Sequence, residues 1–142
     1  MKLDTPLLNI NIEDSIHWFP PISAIGKSYF STFVRENGIK GVVVYMISNE
    51  DEFKNLDIIV EALKDNGILI LDRTDLYLNN SDLRKLVKYA DKRILIDRKV
   101  MPAAELLPYL KTAFIDYDGT RMVITDEDSD GRFREAIKQY HA

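Results

Sequence analysis

The residues with the clearest chemical potential are Pro21-Ile22-Ser23-Ala24-Ile25-Gly26-Lys27-Ser28. They follow the spacing G-x-x-x-x-G-K-[ST], with proline in place of the first glycine. In the intact pattern, backbone N–H groups wrap the phosphates of a nucleotide, the lysine neutralises charge and the hydroxyl holds Mg²⁺. Gly26, Lys27 and Ser28 retain that chemistry. They stand between an extended apolar segment and a helical pattern, where the helix dipole and free N–H donors favour an anion. Pro21 cannot take over the glycine's part, because it has no N–H and is confined to negative φ.

A second element lies downstream. Gly67-Ile68-Leu69-Ile70-Leu71-Asp72 is an apolar strand ending in an aspartate, the form in which phosphate-loop proteins hold Mg²⁺ directly or through water. With the octet, it makes the chain resemble a small P-loop NTPase of the minimal AAA-like type. The resemblance covers residues 7–126 as an order of elements, with motif-level support at 21–28 and 68–72. It implies phosphate and metal binding by Lys27 and Ser28, Mg²⁺ binding by Asp72, sensing of the γ-phosphate by Arg98, and ATP or GTP with Mg²⁺ as ligand. Hydrolytic relatives follow the aspartate with a water-orienting glutamate, whereas Arg73 follows Asp72 here and Asp75 is a poor substitute. The two departures imply nucleotide binding with weak hydrolysis or none, and no residue is assigned a catalytic role.

Other constellations carry less. Asp126-Glu127-Asp128-Ser129-Asp130-Gly131 matches the start of a D-x-D-x-D-G calcium loop, but Ile137 stands where a bidentate glutamate belongs. Asp126, Asp128 and Asp130 therefore read as an acidic cap for a closing helix rather than as a Ca²⁺ site. His17 and His141 have no visible metal-ligating partner, and no G-x-S-x-G elbow is present. Asp72, Asp75, Asp97, Asp116 and Asp118 offer a receiver-like acidic cluster as a minor alternative. Lys85, Lys88, Lys92 and Arg93 read as the solvated face of a helix.

The elements that must position these residues follow from periodicity. Residues 7–12 alternate apolar and polar, and 15–19 resume an extended pattern, which predicts an N-terminal β-hairpin stopped by Pro20-Pro21. Tyr29, Phe30, Phe33 and Val34 recur at helical spacing, so a helix should run from Lys27 to Asn37 after a loop reaching Gly26. Residues 41–47 are apolar on both faces, as expected of a strand in the middle of a parallel sheet. Next come one helix over about 50–66 burying Phe53, Leu56, Ile59, Val60 and Leu63, strand 67–71, a helix capped by Ser81-Asp82, strand 93–96, and a short helix after Pro102. Strands 113–117 and 121–125 should form a hairpin about Asp118-Gly119, followed by a C-terminal helix over about 130–140. The fold class is α/β: a single-domain three-layer sandwich over residues 1–142, with a mostly parallel sheet, an N-terminal β-hairpin and a C-terminal helix. Right-handed crossovers then gather residues 21–27, Asp72 and Asp97-Arg98 at one sheet edge.

Composition narrows the function classes. With 46% hydrophobic and 30% charged residues over 142 positions, the chain is an ordinary globular domain without a membrane-length apolar run. No cysteine is present, which excludes disulfides and thiol catalysis, and the N-terminus lacks a signal-peptide pattern, so a cytoplasmic location is expected. A net charge of -4 argues against nucleic acid as a partner. The contrasting class is a non-enzymatic acidic module of immunity-protein or antitoxin type, steered by its charge onto a basic protein. Trp18 or Tyr77, if exposed and ringed by acids, would mark such a surface.

Overall fold

The computed structural model describes residues 1–20, 24–98, 102–119 and 121–126, without the side chains of 24–29 and 118. Pro21, the Asp128 and Asp130 positions, the expected closing helix and His141 lie outside the described residues.

Five strands form an all-parallel sheet in the order β4-β5-β6-β3-β7. They are β3 (Ile16–Phe19), β4 (Val43–Ile47), β5 (Gly67–Leu71), β6 (Ile94–Asp97) and β7 (Lys111–Thr112). The inner strands β3, β5 and β6 are buried at every position, which explains the unbroken apolar run of β5 and leaves His17 and Asp97 as the buried polar residues of β3 and β6. Gly67 opens β5 against the chain that enters it: a Cβ there would stand 3.2 Å from the Lys64 backbone N and O and from Leu63 Cδ2.

Alternate residues of these strands feed two separate cores. Ile16, Trp18, Leu69, Leu71, Ile94 and Ile96 face α3 (Leu56–Ala62), α4 (Asn80–Leu86) and the 3-10 helix Ala104–Tyr109. Phe19, Ile68, Ile70 and Leu95 face the other way, onto Phe30 and Val34 of α1 (Ala24–Asn37) and onto a second sheet. That smaller sheet has the order β1-β2-β9-β8, from β1 (Lys2–Asp4), β2 (Leu8–Asn11), β8 (Phe114–Asp118) and β9 (Arg121–Thr125). Leu8, Ile10, Met122 and Ile124 point inward with a period of two, so only one face of it is buried. The domain is thus the expected α/β three-layer sandwich, with α1 and the small sheet sharing one outer layer. The hairpin at Asp118-Gly119 is present as β8 and β9.

Several details differ from the sequence reading. Segments 7–12 and 15–19 do not pair with each other: β2 pairs with β1 and β9, while β3 sits between β6 and β7. The N-terminal hairpin is β1 with β2. All four positions of β3 are buried, which only a strand covered on both faces achieves, whereas β2 alternates. The segment after β4 is two helices, α2 (Glu50–Phe53) and α3, because Asn55 leaves helical geometry at φ -95 and ψ 15. The cap of α4 is Asn79, whose side chain accepts from the Asp82 N–H while the Asp82 carboxylate takes the Asn79 N–H in return. Helix α1 starts at Ala24, so Gly26 falls in its first turn rather than ending a loop. It stops at Gly38, which adopts φ +65 and returns its N–H to the Val34 carbonyl at 2.7 Å. Finally, β4 is not central but forms an edge of the large sheet.

Candidate functional site

The parallel pairing puts the C-terminal ends of β3, β4, β5 and β6 on one side of the sheet. Register aligns Phe19 with Asp97 and Leu71 with Ile96, so the chain leaving β3 stands next to Asp97, and Asp72 follows one strand further on. From β3 the chain crosses past β6 and β5 to β4, whereas from β6 it crosses past β3 to β7. The adjacent strands β3 and β6 therefore send their connections in opposite directions, which opens a crevice at their carboxyl ends.

A cleft of about 400 Å³ occupies this side, lined among others by Ser31, Thr32, Arg35, Asp72, Arg73 and Asp97. Its volume lies in the range of small-molecule sites, roughly 300–1,000 Å³. Asp72 is buried, and its Oδ2 accepts from Arg35 Nη2 at 2.7 Å with Arg73 Nε at 3.6 Å. The strand end is braced from beneath. Asp72 N–H donates to the Ile47 carbonyl at 2.8 Å, and the Tyr77 hydroxyl lies 2.9 Å from the Asp72 carbonyl and 3.0 Å from that of Ile47. Burial, followed by the negative charge of Asp72, pushes the Tyr77 phenol well above its ordinary value, so it stays a proton donor. Thr74 Oγ1 donates to the Asp97 carbonyl at 2.7 Å and ties the ends of β5 and β6 together. Arg73 takes φ +52, a left-handed conformation that costs a non-glycine residue about 1 kcal/mol or more. That turn sends the chain abruptly off the strand at the point where Asp72 meets the cleft.

Gly26, Lys27 and Ser28 lie in the first turn and a half of α1, whose first four N–H groups have no partner within the helix. Position 28 shares a helical stripe with Ser31, Thr32 and Arg35, at intervals of three, four and seven residues. The described part of α1 that lines the cleft is Ser31, Thr32 and Arg35. Arg98 is buried, donates from Nη1 to the Leu78 carbonyl at 2.8 Å, and is not among the cleft-lining residues. Of the acidic cluster, Asp72, Asp75 and Asp97 line the cleft, while Asp116 belongs to β8 in the other sheet, so the five acids do not meet. Trp18 is fully buried, which removes it from any partner surface, whereas Tyr77 is half-buried with its hydroxyl on backbone carbonyls. Lys85, Lys88 and Arg93 are paired with Asp82, Asp57 and Asp14.

The surroundings of Asp72 fit Mg²⁺ poorly. The Asp72 carboxylate is occupied by two guanidinium groups, and among the described residues no group of three or more acids or histidines could hold a metal ion. Arg35, Ser31 and Thr32 were absent from the sequence reading. Their signal was the polar stripe of α1, opposite Phe30 and Val34, which continues the line of Ser28. No known protein family, curated protein or solved structure matches the chain.

Proposed function

We propose that the chain binds the phosphate groups of a nucleoside phosphate at the N-terminal end of α1, without efficient turnover. The observation that carries this reading is the strand order. It brings the start of α1, Asp97 and Asp72 to one crevice at a topological switch point, beside a cleft large enough for a mononucleotide. By the general rule for a helix start, the first N–H groups of α1 are the candidate anion cradle, and Lys27 belongs to the same turn. Arg35 offers further positive charge along the same helix: Nη2 is used on Asp72, yet the side chain is 49% exposed. Turnover is left out because no acid follows Asp72 to orient water, and Asp72 itself is held by arginines.

Titration calorimetry with ATP and GTP, each with and without Mg²⁺, tests the reading. Binding in the micromolar range is expected, and Lys27→Ala should weaken it about tenfold or more. No heat with any of the four, under conditions where the protein is folded, would sink the proposal and favour the acidic protein-binding module.

A further inference from the structure

Two arginines on separate elements converge on one carboxylate oxygen in the cleft. Arg35 Nη2 donates to Asp72 Oδ2 at 2.7 Å, and Arg73 Nε lies 3.6 Å from the same atom. One buried carboxylate therefore faces two guanidinium charges, and both arginines are exposed and line the cleft. Most of their donors are unused. Arg35 works through Nη2 alone, which also reaches Met46 Sδ at 3.3 Å and Ser48 Oγ at 3.4 Å, and the Arg73 side chain makes no hydrogen bond among the described residues. Arg73 is held there by a left-handed backbone, the kind of strain that gathers at ligand clamps. Two planar donor forks with spare N–H groups suit the oxygens of a phosphate, and Ser31 and Thr32 add hydroxyls to the same cleft.

The strand order sets this pair apart from the start of α1. Helix α1 follows the end of β3, and Arg73 follows the end of β5, with β6 between those two strands. The two strand ends are thus two strand spacings, about 10 Å, apart. Asp97 holds the middle position, in register with Phe19 on one side and one residue beyond the Leu71–Ile96 pair on the other. Its negative charge there opposes a continuous polyphosphate chain, whereas a carboxylate accepts readily from sugar hydroxyls. Asp75, the remaining acid of the cleft, is exposed to water and so screened.

Resting on the reading of α1 as a phosphate cradle, we infer that the nucleotide is one with a second phosphate on its sugar, a nucleoside 3′,5′-bisphosphate. Its 5′-phosphate sits at the start of α1, its free sugar hydroxyl faces Asp97, and its 3′-phosphate bridges Arg35 and Arg73. Asp72 is the resident counter-ion of the arginine pair. It holds two like charges together and competes with the incoming phosphate for their N–H groups.

Titration calorimetry with adenosine and guanosine 3′,5′-bisphosphates, against AMP and GMP, tests the inference, with circular dichroism confirming that each variant is folded. The second phosphate should tighten binding about tenfold or more. Arg73→Ala, at an exposed side chain with only the longer of the two approaches to Asp72, should reduce that advantage to near unity. Asp72→Asn, which removes the competing carboxylate, should enlarge it. An advantage that survives Arg73→Ala, or one that shrinks in Asp72→Asn, overturns the inference. Bisphosphates that bind no tighter than AMP and GMP overturn it too, while leaving phosphate binding at the start of α1 intact. If none of the four nucleotides binds the folded wild type, that reading falls and the inference falls with it.

Discussion

Replacing Arg35 with alanine probes the contact that joins α1 to the end of β5. The guanidinium is 49% exposed and the Asp72 side chain 5% exposed, at 2.7 Å. An exposed ion pair contributes up to about 1 kcal/mol, whereas stripping one partner from a fully buried pair costs about 3–5 kcal/mol. Screening of the half-exposed arginine, and Arg73 at 3.6 Å as a partial substitute, hold the expected loss to about 1–2 kcal/mol. For a chain of this size that corresponds to a fall in Tm of roughly 3–6 °C. The single tryptophan is fully buried in the larger sheet, so its fluorescence reports the unfolding of the core. A double-mutant cycle with Asp72→Asn isolates the pair, and a coupling energy of about 1 kcal/mol is expected. An unchanged Tm for Arg35→Ala, or additive losses in the cycle, would refute the argument that this pair anchors α1 over the cleft.

Two further outcomes follow from named interactions. Asn79→Ala removes one half of the reciprocal cap on α4 and should destabilise the fold by about 1 kcal/mol, measurable as a lower urea midpoint. Burial pushes His17 below its ordinary value of 6.5, against a contact of its Nδ1 with the Ser15 carbonyl at 3.2 Å. The folded state then binds fewer protons than the unfolded chain below that value, so stability should be constant above about pH 7 and decline as pH falls through 6.5 toward the lowered value. A urea midpoint that rises on acidification through this window would contradict the assignment of a buried neutral imidazole.

The apolar runs at 67–71 and 94–96 announced buried parallel strands, and the helical spacing from Phe30 to Val34 announced the face of α1 that reaches the core. Pairing partners were not legible in the same way. Residues 15–19 and 7–12 both read as extended, but whether they pair depends on whether one or both faces are covered, and that is decided by segments a hundred residues away, such as β9. Residues 41–47 looked central because both their faces are apolar, while edge position depends on which neighbours exist. Of the residues that line the cleft, Asp72 stands out in the sequence by its place at a strand end, but Arg35 enters only through α1 geometry, and Arg98 is turned to Leu78 by packing that no local motif encodes.

The most direct test of phosphate binding at the start of α1 is a backbone amide NMR titration with ATP. Saturable shifts should centre on the N–H groups of residues 24–28 and extend to Asp97 and Asp72, and Lys27→Ala should displace the curve to higher ligand concentration. Amides at the start of α1 that do not move, or shifts confined to another surface such as the small sheet, would contradict it.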